Sequence, residues 1–244
     1  MIHLSTGAGA RLARTHDMKS SAPRLWLAAL AVSIGLAGCG TDQAGPPPDH
    51  GPVRPPSGSA PYIFPSIAYT GCDGVSSFKV PLATNLKGNV TWTVNDLNLA
   101  EVHTANAPQT YADFGENWAL VETFKAGTVK VTATAGGQTA EATIVISKYE
   151  PAIVLAGRKR YYNPDNASGQ RKACNDCHGN AQGADHSPLE MEFFMDDEIL
   201  QAVVDGAYPD GYVLQQVDHK WALTDDERAG IVPFLRSLAP RGIY

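Results

Sequence analysis

Apolar and polar residues alternate with a period of two through much of residues 62–148. Val90, Trp92 and Val94 are separated by Thr91 and Thr93. Val129, Val131 and Ala133 alternate with Lys130, Thr132 and Thr134, and Ala140, Ala142, Ile144 and Ile146 resume the pattern after Gly136-Gly137. Alternation puts one set of side chains on each face of a strand, and the glycine pair supplies a hairpin turn. Shorter strands are expected near residues 63–69, 77–80, 99–103 and 118–123. About seven short strands in this length suit a two-sheet sandwich, with Trp92 as its core anchor.

The period changes after residue 148. Ile153, Gly157 and Tyr161 fall on one helical stripe, and Pro151 suits a first helical turn. Residues 195–208 predict a second helix, with Asp196 or Asp197 as its N-cap and Gly206 as its stop. Residues 223–238 predict a third. Thr224 and Glu227 make a capping box, and Leu223, Ile231, Phe234, Leu235 and Leu238 supply an apolar face. Pro233 removes one of its hydrogen bonds and is expected to bend it. Three short helices in under a hundred residues make a small core, which calls for a staple.

The start of the chain has a different pattern. Arg11, Arg14, Lys19 and Arg24 precede the apolar run 25–37, which is too short to span a bilayer comfortably. Residues 1–38 therefore predict a cleaved export signal. Residues 39–61 are rich in Pro, Gly and Ser and predict an extended tether. The sandwich is expected over 62–148 and the helical segment over 149–244.

Charge narrows the function. The formal net charge is −6 over 244 residues. Loss of residues 1–38 removes four positive charges and one negative, leaving −9. Nucleic-acid binding needs a basic footprint, so it is excluded as a role.

The chemistry is concentrated in "RKACNDCHGN", residues 171–180. Cys174-Asn175-Asp176-Cys177-His178 has the C-x-x-C-H form of covalent haem attachment. Two thiols add across the two vinyl groups of one porphyrin edge, and the next residue presents its imidazole to the iron. Three other readings compete. A thioredoxin-like redox pair wants a βαβ context, which is missing here. A zinc site could use Cys174, Cys177, His178 and His186, but it lacks a second well-spaced ligand pair. A plain Cys174–Cys177 disulfide would leave the histidine idle. Of the remaining cysteines, Cys72 is expected to be a small buried residue. His50 and His103 are expected to be solvated.

Three stretches resemble known families. "LAGC", ending at Cys39, resembles the lipobox of bacterial lipoproteins, which implies a lipid on Cys39 and a membrane-anchored, exported protein. "VTWTVND", "LAEV" and "KAGTVKVTATAGGQTAEATIVI" resemble bacterial immunoglobulin-like domains. "CHG", "HSPLE" and "DHKWALTDDERAGIVPFLRSLAP", with Gly157 and Tyr161, resemble class I c-type cytochromes over about residues 150–240. Together they imply a multidomain chain: an all-β immunoglobulin-like sandwich followed by an all-α cytochrome c domain carrying one haem c.

In that family the sixth iron ligand is usually a methionine from the loop before the last helix. No methionine follows Met195, and that loop contains His219. His219 is the preferred candidate, with Met191, Met195 and His186 as alternatives. The expected function is one-electron transfer outside the cytoplasm, with a redox partner protein and no catalytic residues of its own. The alternative is a surface binding or adhesion lipoprotein in which the haem is a sensor or structural staple. A peroxidase-like enzyme is a third reading, weakened by the lack of a second redox centre.

Overall fold

The computed structural model describes residues 54–164, 173–179, 185–207, 211, 213, 214 and 219–243. The expected export signal, Cys39 and most of the tether lie outside the described residues.

Among the described residues, eight strands form two four-stranded sheets. They are β1 (Ile63–Phe64), β2 (Ile67–Cys72), β3 (Phe78–Thr84), β4 (Thr91–Val94), β5 (Ala100–Ala105), β6 (Asn117–Thr123), β7 (Gly127–Ala135) and β8 (Gln138–Lys148). One sheet has the order β1-β3-β6-β5 and the other β2-β8-β7-β4. Every pairing is antiparallel except that of β2 with β8.

The alternation seen in the sequence explains the core. Val80, Leu82 and Val121 of the first sheet pack with Val129, Val131 and Ile144 of the second, all fully buried. The β7–β8 hairpin closes at Gly136 and Gly137, with φ of 56° and 78°. Two consecutive positive φ angles define the hairpin turn that glycine adopts without penalty. The tryptophan anchor differs from expectation. Trp92 is half-buried, because β4 is an edge strand. Trp118 is 2% exposed, because β6 lies inside its sheet.

Five α-helices follow among the described residues: α1 (Pro151–Tyr162), α2 (Cys174–His178), α3 (Pro188–Met191), α4 (Asp196–Asp205) and α5 (Asp225–Arg236). α5 starts with the expected capping box. The Thr224 hydroxyl accepts from the Glu227 N–H at 3.3 Å, and the Thr224 N–H donates to the Glu227 carboxylate at 2.9 Å. The helix continues through Pro233. α4 is capped differently. Its N-cap is Met195, whose N–H donates to Glu198 at 2.7 Å. Asp196 is drawn away to Arg236 and Tyr149. Gly206 ends α4 in the left-handed conformation.

The helices α1 and α5 cross backbone to backbone. A Cβ on Gly157 would overlap the Gly230 carbonyl oxygen, and one on Gly230 would overlap that of Ile153.

The helices form a third layer on the sandwich. Ala83, Trp118 and Leu120, on the outer face of the first sheet, pack with Leu189, Phe193 and Ile243. Phe78 of β3 joins Val154, Ile231 and Phe234 in a second shared cluster. Fully burying a side chain such as Leu189 or Phe78 stabilises by about 1.5–3 kcal/mol. The layers are also tied by backbone. Tyr69 of β2 donates its N–H to the Glu192 carbonyl at 2.9 Å, and its own carbonyl accepts from Arg236.

This architecture corrects the expected fold class. The described chain is dominated by β-structure, with helices of one to three turns laid on a sheet. It is not a sandwich followed by an all-α cytochrome c domain. The helices share an apolar cluster of their own, Val154, Tyr161, Ile199, Ile231 and Phe234, but Phe78 of β3 is built into it, and Leu189 and Ile243 pack on β3 and β6 instead.

Candidate functional site

A small cavity lies within the helical layer. Its walls include Tyr161 of α1, Cys174 and His178 of α2, His186, and His219 with Trp221 from the segment before α5. Val203 of α4, with Ile231 and Leu235 of α5, closes it with apolar surface.

The histidines converge. The His178 and His186 rings stack with centres 3.6 Å apart and planes 22° from parallel. The His219 ring stands nearly perpendicular to that of His178, at 6.1 Å. His219 Nδ1–H donates to the Ala202 carbonyl at 3.0 Å. His186 is half-buried, and its Nδ1 is buried without a hydrogen-bond partner. Burial, and then the positive fields of His178, His219 and Arg241, hold its pKa well below the usual imidazole range.

The other walls are equally water-poor. Burial raises the Cys174 thiol pKa, and the Arg160 guanidinium partly opposes this. Burial and the neighbouring Cys174 push the Tyr161 hydroxyl up to about 12. Arg241 braces the rim. It donates to the His178 carbonyl and pairs with Asp185 at 3.1 Å.

The structure brings Cys174, His178, His186 and His219 together and leaves the other candidates out. Cys177 is disulfide-bonded, while Cys174 carries a free thiol. The two are therefore not bonded to each other. Met191 packs in the shared helix–sandwich cluster, and its carbonyl accepts from Arg236. Met195 is 44% exposed at the start of α4. Neither methionine lines the cavity. Cys72 is buried in β2 with a free thiol. His103 is exposed on β5, 3.8 Å from Glu101. His50 and Cys39 lie outside the described residues.

Sequence reasoning missed Arg160 and Trp221. Arg160 lies three residues after Gly157 on the same helical face, and that spacing was the available signal.

Among the described residues, no group of three or more His, Cys, Asp or Glu is placed to hold a metal ion. This overturns the zinc reading. Together with the three-layer fold, it also removes the basis for calling the chain a class I c-type cytochrome, an iron protein of that family or a dedicated electron carrier. Three imidazoles line the cavity, but they are not placed to share a bare ion. A group that brings its own in-plane ligands would need only one or two of them.

No protein-family model matches the chain, and no curated protein matches it. Solved structures resemble parts of it distantly. Domains 4 and 5 of the S-layer protein SbsC are 13% identical, with a TM-score of 0.27, over 40% of this chain and 54% of that one. A tandem pair of titin immunoglobulin domains is 14% identical, with a TM-score of 0.26, over 38% and 50%. The Yersinia pseudotuberculosis adhesin InvE is 16% identical, with a TM-score of 0.26, over 36% and 26%. This chain thus spans about half or less of the length of each. Such similarities decide nothing about activity.

Proposed function

We propose that the protein is an exported surface-binding lipoprotein led by its sandwich, with a covalently attached haem serving the helical layer as a sensor or structural staple. One observation carries the staple reading. Tyr161, Ile231 and Leu235 line the histidine cavity and also belong to the apolar cluster that contains Phe78 of β3. Whatever fills the cavity therefore tightens the grip of the helices on the sandwich.

The residues fit such a group by their chemistry. Cys174 and Cys177 would hold it by thioethers, each thiol adding across a vinyl double bond once Cys177 has been reduced by a thiol. His178 and His219 would supply imidazoles to it. The haem would contribute an iron that binds these imidazoles. The apolar walls Val203, Ile231 and Leu235 would exclude water from it.

The binding role rests on which surface stays free. Leu189 of α3, Phe193 and Ile243 cover the outer face of the first sheet at Ala83, Trp118 and Leu120, whereas the second sheet keeps an open polar face. Thr91, Thr93, Thr128, Lys130, Thr134 and Glu141 are exposed there. A lipid on Cys39 and the tether would hold this face away from a membrane.

The test is the visible spectrum and urea unfolding of the full exported chain beside its Cys174→Ser/Cys177→Ser variant. The expected result is haem that resists acid–acetone extraction in the wild type only, with the variant unfolding at lower urea. No haem on a correctly exported chain would contradict the cofactor. Bound haem with unchanged unfolding would contradict the staple.

A further inference from the structure

Arg160 of α1 is 2% exposed. Its Nη1 donates to the Asn163 carbonyl at 2.8 Å. Its Nε and Nη2 are buried without any partner, and it makes no ion pair among the described residues. The contrast with Arg236, also almost fully buried, is direct. Arg236 spends all three nitrogens on carbonyls and a carboxylate. A buried guanidinium with two idle donors is a costly arrangement unless an anion completes it.

The surroundings say what kind of anion. The Arg160 Cζ sits 4.9 Å from the centre of the Trp221 ring, a cation–π contact that fixes the plane of the guanidinium. Trp221 and Cys174 both line the histidine cavity, and the field of Arg160 reaches the Cys174 sulfur. The two idle donors are the side-on pair, Nε–H and Nη2–H, which run parallel and match the two oxygens of a carboxylate. A single cation beside apolar and aromatic walls suits a monoanion on a flat apolar body better than a phosphate dianion.

We infer that Arg160, oriented by Trp221, is the carboxylate-binding residue of the histidine cavity. The inference rests on the cavity described above but not on the identity of its occupant. The carboxylate can belong to a haem held at Cys174 and Cys177 or to a free aromatic acid, and the experiment separates the two.

The full exported chain is compared with its Arg160→Gln and Arg160→Lys variants, after its visible spectrum shows whether it carries haem. On a haem-free chain, benzoate is titrated against tryptophan fluorescence, with benzamide as the neutral control. Arg160→Gln is expected to weaken benzoate at least about tenfold, Arg160→Lys much less, and benzamide is expected to be indifferent to both. Absent binding, or equal benzoate affinity in wild type and Arg160→Gln, overturns the inference. On a haem-bearing chain, the haem band is followed against pH. Arg160→Gln is expected to move a carboxylate-range transition upward by about one pH unit or more, and Arg160→Lys to restore it. Superimposable titrations overturn the inference. A missing haem alone sinks only the cofactor reading, because the benzoate titration still decides the role of Arg160.

Discussion

Arg236, near the end of the chain, donates from Nη1 to the carbonyl oxygen of Tyr69 at 2.6 Å, across 167 positions of sequence. The same guanidinium holds Asp196 at 2.7 Å through Nε and the Phe194 carbonyl at 2.6 Å through Nη2. Asp196 also accepts from the Tyr149 hydroxyl at 2.6 Å. One buried side chain thus joins β2, α4 and the final helix.

Arg236→Met should therefore loosen the helical layer. It strands the carbonyls of Tyr69, Met191 and Phe194 and the Asp196 carboxylate, and hydrogen bonds to a charged group contribute about 1.5–3 kcal/mol each. A loss of about 3 kcal/mol or more is expected in urea unfolding. A change under about 0.5 kcal/mol would show that the network does not hold the layers together.

The α1–α5 crossing gives a second expectation. Gly157→Ala and Gly230→Ala each place a methyl group on the facing backbone, and overpacking of this kind costs about 1–3 kcal/mol. The two changes meet at one contact, so their effects should not add. Unfolding midpoints of the single and double variants check this.

Much of the sandwich was legible in the sequence, because period-two alternation is a local pattern. Val129 to Ile146 shows this best, with its glycine turn and matching inward faces. The α5 cap was legible for the same reason, since Thr224 and Glu227 are three residues apart. The third layer was not. Nothing near Arg236 marks Tyr69 as its partner, and "LRSL" read more readily as a family ending than as a buried clamp. The cavity was half legible. Cys174 and His178 announced themselves by spacing and His219 by its place before the last helix. Arg160, inside the charged run "GRKRYY", was marked only by its helical spacing from Gly157.

The tryptophans test which core positions matter. Trp118→Ala should cost about 3–5 kcal/mol, the usual range for a deeply buried aromatic residue. It also loses the Nε1–H bond to the Gly115 carbonyl at 3.1 Å. Trp92→Ala, on a half-buried edge strand, should cost clearly less. Equal losses in denaturant unfolding would contradict the covering of β6 by helices.

Glu192 sets a pH dependence. It is fully buried, one of its carboxylate oxygens is unpartnered, and burial raises its pKa well above the usual range against the opposing field of Arg236. A carboxyl whose pKa is higher in the folded state binds more protons there than in the unfolded chain. Its contribution is therefore complete below the unfolded value of about 4.3 and is lost as pH rises toward the folded value. Glu192→Gln should remove this loss. Its stability relative to wild type should increase from about pH 4 upward, as read by urea unfolding across pH. A parallel pair of pH curves would contradict the assignment.

The central claim is that sandwich and helices are one folding unit. Hydrogen exchange by mass spectrometry, followed across a urea series on the full chain, tests it most directly. Protection in β6 (Asn117–Thr123) and in α5 (Asp225–Arg236) is predicted to disappear at the same urea concentration, in one cooperative step. Loss of α5 protection well before that of β6, with β6 keeping its full stability, would contradict it.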